Sequence, residues 1–375
     1  MKKSLLITLE FPPTIGGIAT YCDNLAIYLS SDVVVLQHGK KNTKTINGQT
    51  HYTRPLFFPK ILWPRWVRGL FHVWYIARKE KVETLLVHHI LPIGTIAYIL
   101  NIFTKRTYIL FFHGTDIIMA NERPMKRWLA RHIIRRAKAC IVNSTFVGKQ
   151  VIELEKSAEQ KLHTIYPTPQ ACFLAPRDEQ KIQTLTDTLA LNGKTVMLTV
   201  SRIDEGKGFT HLTRILPKLL EQIPQLTWLV LGDGPKRIDW WKQVESAKLQ
   251  GSVRYIGSIP QEQLPHYYDL ADCFVLLTHT DDKRQEGAGT VFLEAMARNV
   301  PVIAGRTGGV PDIVHNNENG TLVDVYRGDD LIIDAIIKTL TNKEKTIQQV
   351  TIAHQEVVST YRPEKQFETL KTLLS

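Results

Sequence analysis

Short apolar runs rich in Val, Ile and Leu recur along the chain, separated by stretches in which apolar residues return every three or four positions. A first series falls at residues 5–9, 33–37, 84–87, 108–112 and 141–142, and a second at 195–200, 227–231, 253–256, 273–277, 302–304 and 321–323. Strands that are apolar throughout are covered on both faces, and their alternation with helical stretches predicts parallel sheets sandwiched by helices. Two series predict two Rossmann-like, doubly wound α/β domains. Between them, residues 166–177 have no helical period and carry Pro167, Pro169 and Pro176, so the boundary belongs there, with domains at 1–170 and 171–359.

Two apolar stretches invite other readings. Met1-Lys2-Lys3 and the run after it resemble the start of a secretory signal, but Glu10 and the Pro12-Pro13 pair cut the run short, and it reads as the first strand. Residues 85–104 carry no formal charge over a length that could cross a bilayer; His88, His89, Pro92 and Gly94 divide them into a buried strand, a turn and one helix. The cysteines, Cys22, Cys140, Cys172 and Cys273, lie far apart without a Cys-x-x-Cys pair, which fits buried thiols in the cytoplasm better than disulfides or zinc ligands.

The net charge of +11 is lopsided: residues 1–180 hold 25 Lys+Arg against 12 Asp+Glu (+13), leaving 22 against 24 (−2) for residues 181–375. A basic first half attracts anionic lipid, nucleic acid or phosphate-bearing ligands. Within it, residues 54–81 interleave Arg54, Lys60, Arg65, Arg68, Arg78, Lys79 and Lys81 with Phe57, Phe58, Trp63, Trp66, Phe71, Trp74 and Tyr75, as an amphipathic helix lying in a membrane interface would. The basic run 126–138 extends the same face. The rival reading puts these aromatics in the core and leaves the cations solvated.

The densest chemistry lies at Glu286-Gly287-Ala288-Gly289-Thr290-Val291-Phe292-Leu293-Glu294, between an apolar strand and a helix that should begin near Gly289 or Thr290. The unpaired N–H groups and positive dipole end of that helix form a seat for phosphate, which Gly287 and Gly289 allow to come close. Carboxylates would repel a phosphate, so Glu286 and Glu294 are better explained as acceptors of hydroxyl hydrogen bonds on either side of it. A phosphate flanked by hydroxyls describes a nucleotide-sugar. Arg202 and Lys207, in a loop with Gly206 and Gly208 after the strand 195–200, supply two cations for one diphosphate. His113-Gly114-Thr115-Asp116 follows the strand 108–112, and Gly16-Gly17 lies between the first strand and a helix starting near Ile18. Ligands of open parallel sheets gather beyond the carboxyl ends of the strands, where all these motifs fall. Each has a plainer reading: a solvated basic turn for Arg202 and Lys207, helix-end capping for the acids, a satisfied core residue for His113, a tight turn for the glycine pair. Asp281-Asp282 is an acidic pair with no partner at metal-ligand spacing, and no metal or cofactor is expected.

Taken in order, and joined by Leu231-Gly232-Asp233-Gly234-Pro235 and Thr307-Gly308-Gly309-Val310-Pro311-Asp312, these motifs resemble those of the retaining GT-B glycosyltransferases of glycosyltransferase family 4, whose signature is two glutamates with seven residues between them in this glycine-loop setting. The resemblance spans nearly the whole chain. Ala288 departs from it, standing where the family commonly has a larger apolar or aromatic residue. The resemblance implies a GT-B fold, two Rossmann-like domains facing across a cleft, with the segment at about 360–375 crossing back to the first. It implies transfer of a hexosyl group, mannose being favoured, from GDP- or UDP-hexose to a hydroxyl of a lipid-linked or glycan acceptor, by front-side substitution with retention. The donor site would comprise Gly16, Gly17, Arg202, Lys207, Gly232, Ile259, Glu286, Gly287, Ala288, Gly289, Thr290 and Glu294. In it, Glu294 would meet the ribose, Glu286 the transferred sugar, Arg202 and Lys207 the leaving diphosphate, and Gly232 with the turn Gly257-Ser258-Ile259 the base. His113 would touch the sugar near the reaction centre, with Asp116 beside it, so that His113, Glu286, Arg202 and Lys207 are the catalytic set. The expected setting is cytoplasmic, peripheral on the inner face of the cell membrane, with an anionic membrane surface and no nucleic acid as partner. A GT-B nucleotide-sugar epimerase, converting donor without acceptor, is the second class considered. A basic nucleic-acid-binding protein is the third, and it leaves the paired glutamates unexplained.

Overall fold

The computed structural model describes residues 3–280 and 285–375. The Asp281-Asp282 pair lies outside the described residues. The chain divides into two compact units, one made of Met1–Thr168 with Pro363–Ser375 and the other of Pro169–Arg362. The expected breaks, after residue 170 and near residue 360, sit beside these.

In the first unit the strands are β1 (Ser4–Thr8), β2 (Val33–His38), β3 (Asn42–Ile46), β4 (Gln49–Arg54), β5 (Thr84–His88), β6 (Thr107–Phe112), β7 (Ala139–Val142) and β8 (Leu162–Thr164). They form one sheet in the order β3-β4-β2-β1-β5-β6-β7-β8, parallel except for the β3–β4 hairpin. The helices are α1 (Gly17–Leu29), α2 (Val67–Lys79), α3 (Ile93–Thr104), α4 (Thr115–Asn121), α5 (Pro124–Arg136) and α6 (Thr145–Leu154), joined from the far end of the chain by the short helices Pro363–Gln366 and Glu368–Leu374. Successive strand residues face opposite ways. Leu5, Ile7, Leu85, Val87, Leu110 and Phe112 therefore pack under α2, α3, α5 and α6, while Leu6, Leu86, Ile109 and Phe111 pack under α1 and Phe367, Leu370 and Leu374. Covering on both faces is what the unbroken apolar runs require.

Two sequence expectations change here. The hairpin at Asn42–Ile46 and Gln49–Arg54 was not anticipated, because every residue of β3 is exposed and its sequence, Asn-Thr-Lys-Thr-Ile, has no apolar period. The stretch 54–81 is not one amphipathic helix. Arg54 ends β4, the helix occupies only Val67–Lys79, and Phe57 and Trp66 pack against the core. The uncharged stretch 85–104 does split into β5 and α3, and no helix among the described residues is long and apolar enough to cross a membrane.

The second unit carries β9 (Thr195–Val200), β10 (Leu226–Leu231), β11 (Val253–Gly257), β12 (Cys273–Leu276), β13 (Val302–Gly305) and β14 (Thr321–Val323), all parallel, in the order β11-β10-β9-β12-β13-β14. Its helices are α7 (Glu179–Thr188), α8 (Phe209–Gln222), α9 (Arg237–Ser246), α10 (Leu264–Tyr268), α11 (Thr290–Ala297), α12 (Asp329–Thr341) and α13 (Lys343–Ser359).

Each sheet reverses its direction of growth once. In the first unit the chain adds strands outward from β1 and then, beginning with β5, outward on the other side; in the second the reversal lies between β9 and β12. The loops leaving the two strands at such a switch diverge to opposite faces of the sheet and leave a crevice between them. Every motif singled out from the sequence leaves one of these strands or a near neighbour.

Candidate active site

At the switch of the second unit, the loop after β9 brings Lys207 and the loop after β12 brings Glu286. Lys207 Nζ lies 2.6 Å from Glu286 Oε2, with both side chains largely covered. The sequence assigned these residues to different parts of the donor; the structure joins them. Glu286 is held by its backbone as well. Its carbonyl accepts a 3.0 Å hydrogen bond from Gly309 N–H, and a Cβ at Gly308 would stand 2.1 Å from the same carbonyl oxygen, so that position is closed to any side chain. The Thr307-Gly308-Gly309 turn is thus the cradle of the Glu286 loop. His279 N–H donates to Gly206 O at 3.0 Å, tying the two switch loops together.

Gly287 and Ala288 are buried, Gly289 is the N-cap of α11 in the left-handed region (φ 82°), and Thr290 is the first helical residue. The helix start falls where the sequence placed it, and its free N–H groups open beside Glu286. Gly232 follows β10. Its N–H donates to Gly257 O at 2.8 Å, and a Cβ there would stand 1.9 Å from Ser201 O, so the chain ends of β9, β10 and β11 close up only around a bare glycine. Ile259 is half-buried just beyond β11.

Two of the expected residues have partners that the sequence did not reveal. The Arg202 side chain is 64% exposed and pairs with Asp204 at 3.4 Å. Glu294 is 3% exposed, with Oε1 accepting from Gln261 Nε2 at 2.7 Å and Oε2 from the Tyr268 hydroxyl at 2.9 Å. Burial pushes its carboxyl up to about 7, against the lowering pull of the two hydrogen bonds. Gln261 and Tyr268 were not picked out from the sequence; neither lies in a motif, and only the fold carries them to Glu294.

In the first unit the loops after β1, β5 and β6 are neighbours. Gly16 is the N-cap of α1, accepting from Thr20 N–H, and Gly17 is its first residue. His113, half-buried, follows β6. Asp116 Oδ1 accepts from the backbone N–H of His113 at 3.1 Å and of Gly114 at 3.0 Å, so Asp116 shapes the histidine loop from the first turn of α4. Its Oδ2 is buried with no hydrogen-bond partner, and burial raises the carboxyl to about 6 despite those N–H groups. His88, at the end of β5, places Nδ1 3.1 Å from His113 Nε2, and the two rings are stacked with centroids 5.3 Å apart. Burial pushes His113 down to about 3 and His89 to about 4, and holds His88 well below the ordinary histidine value. The histidines of this site are therefore neutral, where the other site holds a charged pair. Among the described residues, no cluster of three His, Cys, Asp or Glu side chains has the arrangement of a metal site.

The comparisons with known proteins fall on the same division. Residues 15–168 match the family description "Glycosyltransferase Family 4" and residues 182–355 match "Glycosyl transferases group 1". A GDP-mannose-dependent alpha-(1-6)-phosphatidylinositol monomannoside mannosyltransferase of Mycolicibacterium smegmatis is 25% identical over 335 residues, 85% of each chain. The N-acetyl-alpha-D-glucosaminyl L-malate synthase of Bacillus anthracis is 24% identical over 79% of this chain and 76% of its own. Among solved structures, Anabaena HepE in complex with UDP superposes with a TM-score of 0.79 at 18% identity, covering 100% of this chain and 99% of that one. These matches favour glycosyl transfer over epimerisation. With both halves claimed in turn by such enzymes and the GT-B fold running from end to end, the chain belongs to glycosyltransferase family 4 and is a glycosyltransferase.

Proposed function

We propose that the chain transfers a hexosyl group, mannose first among the candidates, from GDP- or UDP-hexose to a hydroxyl of a lipid-linked or glycan acceptor, with retention and without a divalent metal. The observation that carries this is the Lys207–Glu286 pair at the switch, beside the free N–H groups of α11. An ammonium has three N–H bonds, and one of them on Glu286 leaves two for a diphosphate. Glu286, fixed at its carbonyl and at one carboxylate oxygen, keeps acceptor capacity for sugar hydroxyls. As the bond between the anomeric carbon and the diphosphate oxygen breaks, Lys207 and the helix N-terminus neutralise the charge gathering on the leaving group. The acceptor oxygen bonds to the same face of that carbon, and its proton passes to the departing diphosphate. Glu294 would meet the ribose from beneath, exchanging Gln261 for a ribose hydroxyl; Arg202, largely exposed and paired with Asp204, would turn to the phosphates; His113 would hydrogen-bond the sugar. Mannose is favoured because the Mycolicibacterium smegmatis relative is a mannosyltransferase dependent on GDP-mannose.

We infer the acceptor and place of work from the outer surface of one helical layer. Helices α2, α3 and α5 lie side by side and contain no Asp or Glu. Phe71, Trp74 and Tyr75 of α2, Ile102 and Phe103 of α3, and Met125 and Trp128 of α5 are all exposed, flanked by Arg78, Lys79, Arg131, Arg135 and Arg136. Arg135 is paired with Glu155 at 2.8 Å and Lys126 with Glu122 at 3.0 Å, but Arg78, Lys79, Arg131 and Arg136 form no ion pair among the described residues. Aromatics among such cations suit the headgroup region of an anionic bilayer, where the enzyme would be peripheral with a lipid-linked acceptor.

The test of the chemistry is NMR of the product anomer, run with and without chelator. Retained configuration and undiminished rate are expected. An inverted product, or activity lost to chelator and restored only by a divalent ion, overturns the reading.

A further inference from the structure

The histidine at the end of β5 has no role in what precedes, yet it is fully buried against the one that does. We propose that His88 is the positioning residue for His113: by engaging Nε2 of His113 it fixes that ring's tautomer, so that His113 meets substrate through Nδ1 and does so as an N–H donor. This rests on the reading that His113 touches the sugar.

The geometry leaves little freedom. His88 stacks on Phe111 with centroids 4.3 Å apart and 14° between planes, and on His113 with 16° between planes. Tyr21 of α1 closes the other side, its ring edge-on to His88 at 6.0 Å and to His113 at 5.5 Å. Behind His113, Asp116 holds the backbone through two N–H groups. Neither imidazole can turn without disturbing a packed ring, so the 3.1 Å contact between His88 Nδ1 and His113 Nε2 is a fixed feature.

Two neutral imidazoles in that contact share a single proton, and there are two ways to place it. If His113 donated from Nε2, His88 would carry its own hydrogen on Nε2, which is buried with no partner. If His88 donates from Nδ1, its Nε2 is a bare lone pair in the same position. A buried N–H with nothing to accept it is the rarer defect in folded proteins, as it is for backbone groups, so the proton belongs on His88 Nδ1. Nε2 of His113 is then the acceptor, and the hydrogen of His113 sits on Nδ1. A neutral N–H at that point can donate to the oxygen of a sugar hydroxyl and cannot take its proton. His88 thereby turns a residue that could serve as a base into one that only binds and orients.

The experiment is a long-range nitrogen–proton correlation spectrum of the full chain labelled at histidine, with each ring assigned by substitution. Wild-type protein should show His113 protonated on Nδ1 with Nε2 bare, and His88→Leu should release His113 to the commoner Nε2–H form. His88→Asn, whose amide can occupy the place of Nδ1, should restore the wild-type pattern. In steady-state kinetics His88→Leu should lower kcat about tenfold, the scale of one lost hydrogen bond, with donor KM unchanged, and His88→Asn should recover most of it. Wild-type His113 protonated on Nε2 overturns the proposal whether or not any variant folds, as does a folded His88→Leu with an unaltered His113 spectrum. If instead His113→Ala has full activity while the spectra come out as expected, it is the sugar-contact reading that fails, not the tautomer assignment.

Discussion

The two switch points are built alike and equipped differently. In the second unit, a charged pair of opposite sign stands beside a helix N-terminus, with glycine-lined backbone closing up behind it; in the first, neutral histidines and an aromatic ring form a packed stack with three buried polar atoms, His88 Nε2, His89 Nε2 and Asp116 Oδ2, left without partners. Fixed charge suits a ligand that gathers charge as it reacts, and donors or acceptors without charge suit hydroxyls, which must be held but not ionised. On the proposed function, the electrostatic part of the task falls to the second unit and the positioning part to the first.

That contrast is best broken at Lys207. Lys207→Ala removes the covered cation and leaves Glu286 without its partner, so kcat should fall by roughly 10²- to 10³-fold in initial-rate assays at saturating donor. Lys207→Arg should retain part of the rate. A variant within twofold of wild type would mean that the charged pair is only structural.

Acid should act on the two sites in opposite directions. Histidines kept neutral below their ordinary value of 6.5 favour the native state at higher pH, and that contribution is lost as pH falls below 6.5 towards the values near 3 and 4 of His113 and His89. Asp116 opposes this alone in the site, its carboxyl being raised. Glu294 has the reverse sign: raised from 4.5 to about 7, it contributes stability that is full below 4.5 and lost as pH climbs through 7. Hydrogen exchange followed by mass spectrometry should therefore show β5, β6 and α4 less protected at pH 5 than at pH 8, and α10 and α11 more protected. Glu294→Gln should stabilise the second unit at pH 8 by about 1–3 kcal/mol while weakening nucleoside diphosphate binding. An equal shift in both units, or a destabilised Glu294→Gln at pH 8, would contradict this.

The basic helical layer of the first unit has no counterpart requirement in the second, where net charge is near zero. Arg78→Gln with Arg136→Gln, both exposed, should weaken co-sedimentation with anionic vesicles by about 2 kcal/mol, near 1 kcal/mol for each cation, without touching nucleotide affinity. Binding that ignores salt and lipid charge would remove the membrane from the account. The smallest effect is expected at His113. His113→Ala should cost about tenfold in kcat, as one uncharged hydrogen bond does, and between pH 5 and 8 the wild-type rate should show no step from this residue, since burial holds it near 3.

The sequence announces the sheets well because strands covered on both faces, such as β10 and β12, have apolar residues at nearly every position. It hides β3 because an exposed edge strand needs no apolar pattern. Motif residues whose surroundings are local were legible: the start of α11, the glycine before it, the turn at His113. What was not legible is who touches whom across the sheet. Lys207 and Glu286 were named for separate tasks, Arg202 was grouped with Lys207 yet pairs with Asp204, and Gln261, Tyr268 and His88 belong to no motif. The exposed Trp63, at 86%, and Phe103, at 80%, show the same limit from outside, since composition alone could not tell interfacial aromatics from core ones.

Phe367, Leu370 and Leu374 lie in the apolar layer that covers one face of the first sheet, although the whole second unit stands between them and that sheet in the chain. The part of the protein made first is consequently the part finished last. While the ribosome produces Pro169–Arg362, the first sheet waits with an uncovered apolar strip beside α1, and the second unit has everything it needs to close before the first does. Early termination after Arg362 would therefore injure the first unit rather than the second, sparing the charged switch and undoing the one with the histidines.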